Sequence, residues 1–163
     1  MEVRLARLED AEAIRAIYNV EVTSSTCTFD LVPRTLADQE QWVNEHRGAY
    51  PAVVAVDPSG GEVVGFGSLA PYRNRPAYST TVEDSVYVRR DRHREGVGRA
   101  VLGELVRLAT VHGFHAVIGR IVGGHQASIR LHQACGFEVV GVEREVGRKF
   151  GRWLDVVVTE RLL

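Results

Sequence analysis

Apolar residues along the chain change their period often enough to mark its elements. Val82, Val86 and Val88 with Tyr87 form a β-branched, aromatic stretch that predicts a strand. The polar run Arg89-Arg90-Asp91-Arg92-His93 ends it. After Arg94-Glu95-Gly96-Val97-Gly98-Arg99, apolar residues recur at Val97, Val101, Leu102, Leu105, Leu108 and Ala109. Spacings of three and four lay these on one face of a helix. Thr81 to Leu108 therefore reads as strand, glycine-containing turn and amphipathic helix.

The flanking pattern supplies the rest. Val3 to Ala6 predicts a short strand, and Glu9-Asp10 places acidic residues in the first turn of a helix carrying Ala13, Ile14, Ile17 and Tyr18. That helix fades at the polar, β-branched run Thr23 to Thr28, a hydroxyl-lined loop that suits a polar ligand or a solvated connection. Thr35 and Asp38 resemble a capping box for a helix from Leu36 to about Arg47. Ala52 to Val56 and Glu62 to Leu69 flank Asp57-Pro58-Ser59-Gly60-Gly61 as a hairpin, followed by a loop from Pro71 to Tyr78. Ala116 to Ile121 predicts a buried strand and Gln126 to Cys135 a short helix. Phe137 to Val146 and Trp153 to Arg161 predict a closing hairpin. The order β-α-α-β-β-β-α-β-α-β-β implies an α/β (α+β) fold with a mixed, mostly antiparallel, twisted sheet and helices on both faces.

Composition narrows the class. A length of 163 residues suits one domain, 1–163, with one core. A net charge of −1 and a pI near 6.6 give no global basic field, which argues against nucleic acid and anionic lipid as partners. Arg89, Arg90, Arg92, Arg94 and Arg99 are instead a local cluster without interleaved aromatics. No apolar run approaches the roughly 20 residues that span a bilayer, and no signal peptide is visible. Cys27 and Cys135 make no disulfide framework and read as packing residues in a reduced, cytoplasmic setting. The six histidines, His112 and His115 among them, show no zinc spacing, so no metal is expected.

The turn before the long helix carries candidate chemistry. The first turn of a helix presents unpartnered N–H groups and the positive end of its dipole. Gly96 and Gly98 remove side chains that would hold an anion away, and Arg94 and Arg99 add charged donors. A diphosphate suits this site, as an ordinary helix start with solvated arginines also would.

Two separated motifs then point to one family. Arg94-Glu95-Gly96-Val97-Gly98-Arg99 after a strand resembles the acetyl-CoA pyrophosphate loop of the GNAT N-acetyltransferases. Ala127-Ser128-Ile129-Arg130-Leu131-His132-Gln133-Ala134-Cys135-Gly136-Phe137 is similar to that family's later helix and strand entry. The phosphinothricin and methionine sulfoximine/sulfone acetyltransferase branch is resembled more closely still. Tyr18-Asn19, Thr23-Ser24-Ser25-Thr26-x-x-Phe29, Pro71 to Tyr78, Glu83 to Val88, and Lys149-Phe150-Gly151-Arg152-Trp153-x-Asp155-Val156 carry that likeness.

The resemblance implies acetyl-CoA as co-substrate, held by Val86, Tyr87, Val88, Arg94, Glu95, Gly96, Val97, Gly98, Arg99, His125 and Ser128. His125 stands where the family has an asparagine, so its contact differs in reach. The resemblance also implies direct attack by an amine in a ternary complex, with Glu83 as general base. An ammonium has no lone pair, so such a base is needed, and strand alternation lets only one of Glu83 and Asp84 face the substrate. His132 occupies the family's proton-donor position and is read as a catalytic acid, a substrate ligand or a half-buried helix histidine. Arg73, Asn74, Arg75 and Tyr78 are the acceptor-binding candidates, since a guanidinium matches a carboxylate or phosphinate. Other amine acceptors (a peptide N-terminus, an aminoglycoside or a polyamine) and a non-catalytic acyl-CoA sensor are the alternatives. The branch implies a homodimer.

Overall fold

The computed structural model describes residues 1–163. Seven strands form one sheet in the spatial order β1 (Glu2–Leu5), β2 (Ala52–Val56), β3 (Val63–Pro71), β4 (Thr81–Val88), β5 (Ala116–Val122), β7 (Arg152–Leu162) and β6 (Glu138–Lys149). Four helices, α1 (Ala11–Ser24), α2 (Leu36–Glu45), α3 (Val97–Val111) and α4 (Gln126–Ala134), complete the fold. All neighbouring strands are antiparallel except β4 and β5, which α3 joins as a parallel pair. The order of elements is the one the apolar pattern predicts.

Departures lie at element ends and have local causes. Helix α1 runs on to Ser24, with the Thr23 and Ser24 hydroxyls donating back to the Asn19 and Val20 carbonyls, and stops at an extended Ser25. Helix α2 starts on the expected capping box: the Asp38 amide donates to Thr35 Oγ1 at 3.1 Å, and the Thr35 amide donates to Asp38 Oδ2 at 2.9 Å. It ends at Glu45, short of Arg47. Strand β6 continues three residues past Val146 to Lys149, which pairs with Arg152. Phe150 and Gly151, at φ 51° and 72°, make the two-residue left-handed turn between them.

Helices cover both sheet faces, and β2 is apolar at every position for that reason. Val53 and Ala55 pack toward α3, whereas Val54 packs toward α1. Strand β3 alternates more sharply. Phe66 enters an aromatic group with Tyr18, Trp42 and Tyr87, while Gly65 and Gly67 face α3. A Cβ on Gly65 would lie 2.7 Å from Val97 Cγ1, and one on Gly67 would lie 2.6 Å from Val101 Cγ1 and 2.7 Å from the Ser85 carbonyl oxygen. Helix α3 therefore sits low on the sheet, which fixes the height of its first turn beside β4.

Replacing Gly67 with alanine should cost about 1–3 kcal/mol of stability through overpacking. Urea unfolding of the variant checks this. An unchanged midpoint would mean that α3 has room to rise.

Candidate active site

The central feature is a place where the sheet parts. Strands β4 and β5 pair from Thr81 opposite Ala116 to Asp84 opposite Gly119, and no further. Beyond that point β4 stays with β3 as far as Val88, while β5 stays with β7 as far as Val122. The β5-facing edge of residues 85–88 is left open, so its backbone polar groups have no strand partner. One is met by His93, whose Nε2 lies 3.1 Å from the Val88 carbonyl oxygen.

The arginine turn stands at the mouth of this opening. Arg94 and Gly96 both take left-handed backbone, at φ 67° and 81°, and Gly96 directly precedes the first turn of α3. Gly98 faces α4, where a Cβ would come within 3.0 Å of Leu131 Cδ2. Three of the five clustered arginines are already paired: Arg89 with Asp91 and Glu62, Arg90 with Glu21, and Arg92 with Asp57 and Glu95. Arg94 and Arg99 have no carboxylate partner, so their charge is available to an anion at the helix start. Internal pairing also explains why the cluster makes no broad basic patch.

Glu83 and Asp84 occupy opposite faces of β4, at its last two positions paired with β5. Glu83 is half-buried on the α1 side and accepts no hydrogen bond from the protein. Burial raises its pKa and the charge of Asp84 adds to that, while Arg120 and Arg73 pull the other way. Asp84 is buried on the α3 and α4 side against His132. Burial alone would lower the His132 pKa, but the hydrogen bond and charge of Asp84 prevail and raise it. Glu83 and His132 are thus on opposite sides of the strand.

Arg73, Asn74, Arg75 and Tyr78 line an open cavity of about 590 Å³ together with Tyr72. The Arg73 guanidinium lies over the Tyr72 ring, 4.9 Å from its centroid. A second cavity of about 500 Å³ is bounded by Ser24, Ser25, Thr26, Arg90, His125, Phe150 and Arg152. His125 precedes α4 and places Nε2 2.9 Å from Thr26 Oγ1, with burial lowering its pKa. The hydroxyl-rich run after α1 thereby joins the start of α4.

Three residues outside the expected set also shape this region. Arg120 on β5 forms an ion pair with Glu143 on β6 at 2.6 Å, without hydrogen-bond alignment, and its charge reaches Glu83. Lys149 is 2 % exposed and donates to the Thr28 carbonyl at 2.9 Å, with the Glu21 carbonyl in the last turn of α1 at 3.5 Å. A cation suits that negative helix end and pins the loop after α1. The sequence signal was a charged residue inside an apolar strand, visible at Arg120 but interpretable only once β6 and β7 are in place.

A helix start beside an opened strand edge, with free arginines and a half-buried carboxylate, fits the way a nucleotide-linked thioester is held for transfer to an amine. The family model described as an acetyltransferase (GNAT) domain matches residues 3–158. The chain belongs to the GNAT acetyltransferase family. It is 40% identical over 155 residues to L-methionine sulfoximine/L-methionine sulfone acetyltransferase of Pseudomonas aeruginosa, covering 94% of this chain and 90% of that one. A phosphinothricin acetyltransferase from Sinorhizobium meliloti, solved with acetyl-CoA, superposes with a TM-score of 0.94 at 38% identity, covering 99% of this chain and 88% of the other. A ribosomal-protein-alanine N-acetyltransferase from Brucella melitensis gives a TM-score of 0.96 at 35% identity, with complete coverage of both. The chain is an N-acetyltransferase that uses acetyl-CoA. No helix is long and apolar enough to cross a membrane.

Gly98→Asp should reduce acetyl-CoA binding at least tenfold more than Gly98→Ala. Both crowd Leu131, but only aspartate places a negative charge at the helix start. Calorimetry on the two folded variants separates the effects. Equal affinities would move the diphosphate elsewhere.

Proposed function

We propose that this enzyme acetylates the amine of a small amino acid or analogue, of the phosphinothricin or methionine sulfoximine/sulfone type, by direct attack within a ternary complex. The observation that carries this reading is Glu83. It is a half-buried carboxylate without a hydrogen-bond donor, at the point where β4 and β5 part, close enough to Arg73 for their charges to interact. Val86, Tyr87, Val88, the turn from Arg94 to Arg99, His125 and Ser128 would hold acetyl-CoA, which supplies a thioester-activated acetyl group.

Arg73 and Arg75 bind the acceptor carboxylate, with Asn74 and Tyr78 beside them. Glu83 then takes a proton from the ammonium group so that the nitrogen lone pair becomes free. Its raised pKa makes it a better proton acceptor near neutral pH than an exposed glutamate. The names of the Pseudomonas and Sinorhizobium proteins support this acceptor class. The exposed loop arginines support it independently, because a peptide amine without a nearby carboxylate would leave them unused.

The enzyme works as a cytoplasmic homodimer in this reading. Val140, Val142 and Val146 along edge strand β6 and Trp153 on β7 are each more than half exposed, a stripe that a second copy would cover. Sedimentation that shows only monomers at micromolar concentration would reject the dimer.

A CoA-release assay across phosphinothricin, methionine sulfoximine, methionine sulfone, free amino acids, a peptide and an aminoglycoside tests the substrate class. Acceptors carrying an α-carboxylate should lead, and Arg73→Ala should raise their KM more than that for acetyl-CoA. Preference for the peptide would reject the class.

Glu83→Gln preserves shape but cannot take a proton. Its kcat should fall about 10²–10⁴-fold near neutral pH, with acetyl-CoA affinity nearly unchanged. The loss should shrink as pH rises, because more of the amine then arrives deprotonated. A deficit independent of pH would make Glu83 a positioning group.

A further inference from the structure

Both ring nitrogens of His132 face atoms that accept hydrogen bonds. Nδ1 lies 2.8 Å from the Ser128 carbonyl oxygen one turn back on α4, and Nε2 lies 3.0 Å from Asp84 Oδ1 on β4. A carbonyl oxygen has no proton to donate, so Nδ1 carries hydrogen, and opposite a carboxylate at Asp84 Nε2 carries one as well. The two side chains are 4 % and 1 % exposed. Asp84 Oδ2 is buried without any partner, which leaves the imidazolium as the counter-charge for the carboxylate. Deprotonating the ring would strand a buried negative charge.

The surroundings hold the ring in this orientation. A Cβ on Gly119 of β5 would lie 2.7 Å from His132 Cδ2 and 2.8 Å from Nε2, so the ring occupies space that only glycine leaves. The Phe137 ring meets it edge-on, 5.0 Å away between centroids, and the Thr159 hydroxyl is committed to the Gly119 carbonyl at 3.1 Å. Cys135, at the end of α4, also lies on this side. Its pKa is raised chiefly by burial, with Arg99 of α3 and Arg161 of β7 acting on it in the opposite sense. Glu83 lies on the far face of β4.

We propose that Asp84 is a positioning residue that keeps His132 doubly protonated and fully engaged, so that His132 clamps α4 to the parting strands and exchanges no proton with the reaction. The functional half of this statement rests on the proposed reaction; the protonation half does not. Leu131, next to His132, packs against Gly98, so the clamp sets the distance between α4 and the acetyl-CoA turn. Glu83 is then the one protein group whose titration shapes the rate.

Nitrogen-15 NMR of histidine-labelled full-length protein tests the protonation state without any variant. Both His132 nitrogens should show attached protons and imidazolium shifts at pH 7, above the ordinary histidine pKa of about 6.5. An unprotonated ring nitrogen at pH 7 overturns the proposal. Asp84→Asn should return His132 to a neutral ring at pH 7 and lower kcat/KM for acetyl-CoA roughly ten- to a hundredfold, the scale of a misplaced binding wall. His132→Gln should lower the rate while leaving the pH profile of kcat unmoved. Loss of a limb from that profile would make His132 a proton donor or acceptor and overturn the clamp. Failure of the NMR result leaves the Glu83 chemistry standing, whereas failure of Glu83→Gln leaves the clamp standing.

Discussion

The loss of pairing between β4 and β5 after Asp84 and Gly119 is the constraint from which the site follows. Each strand keeps its other neighbour, so the sheet parts without losing its remaining ladders. An opened parallel edge exposes amides and carbonyls that a ligand with its own amides can satisfy. Helix α3 brings the Arg94 to Arg99 turn to one end of that edge, at a height set by Gly65 and Gly67. The same parting puts Glu83 at the last closed positions, where burial raises its pKa and Arg73 and Arg120 restrain the rise.

Charge is divided by the two faces of the sheet. On the α1 side, Glu83 keeps a carboxylate free of hydrogen bonds, beside arginines that suit an anionic acceptor. On the α4 side, Asp84 is consumed by His132. A one-residue alternation along β4 thus separates a carboxylate without a hydrogen-bond donor from one bound to a histidine. The remaining arginines near the turn are held by carboxylates, which concentrates the available positive charge at Arg94 and Arg99. Lys149, buried beneath the loop after α1, fastens the outer wall of the region to β6.

Much of the fold was readable because apolar periods are strong where burial is complete. The run Ala52 to Val56 and the spacing from Val97 to Ala109 each specify one kind of element. Ends were less readable where side chains rewrite backbone bonding, as at Thr23 and Ser24, or where an uncommon Phe150-Gly151 pair makes a tight turn. Glu83 and the glycine turn stand out in the sequence because their neighbours in the chain carry a motif. The pairing of Asp84 with His132, or of Arg120 with Glu143, was not. These contacts depend on elements 23 to 48 residues away in sequence. Gly119 within an apolar strand was the one local hint that another group approaches closely there.

Hydrogen–deuterium exchange with and without acetyl-CoA tests most directly whether the parted edge is the cofactor groove. Amides at residues 85–88 and 96–99 should slow together on binding, while those of β1 and β2 exchange unchanged. Slowing at the turn alone, with residues 85–88 as fast as in the free protein, would contradict the account.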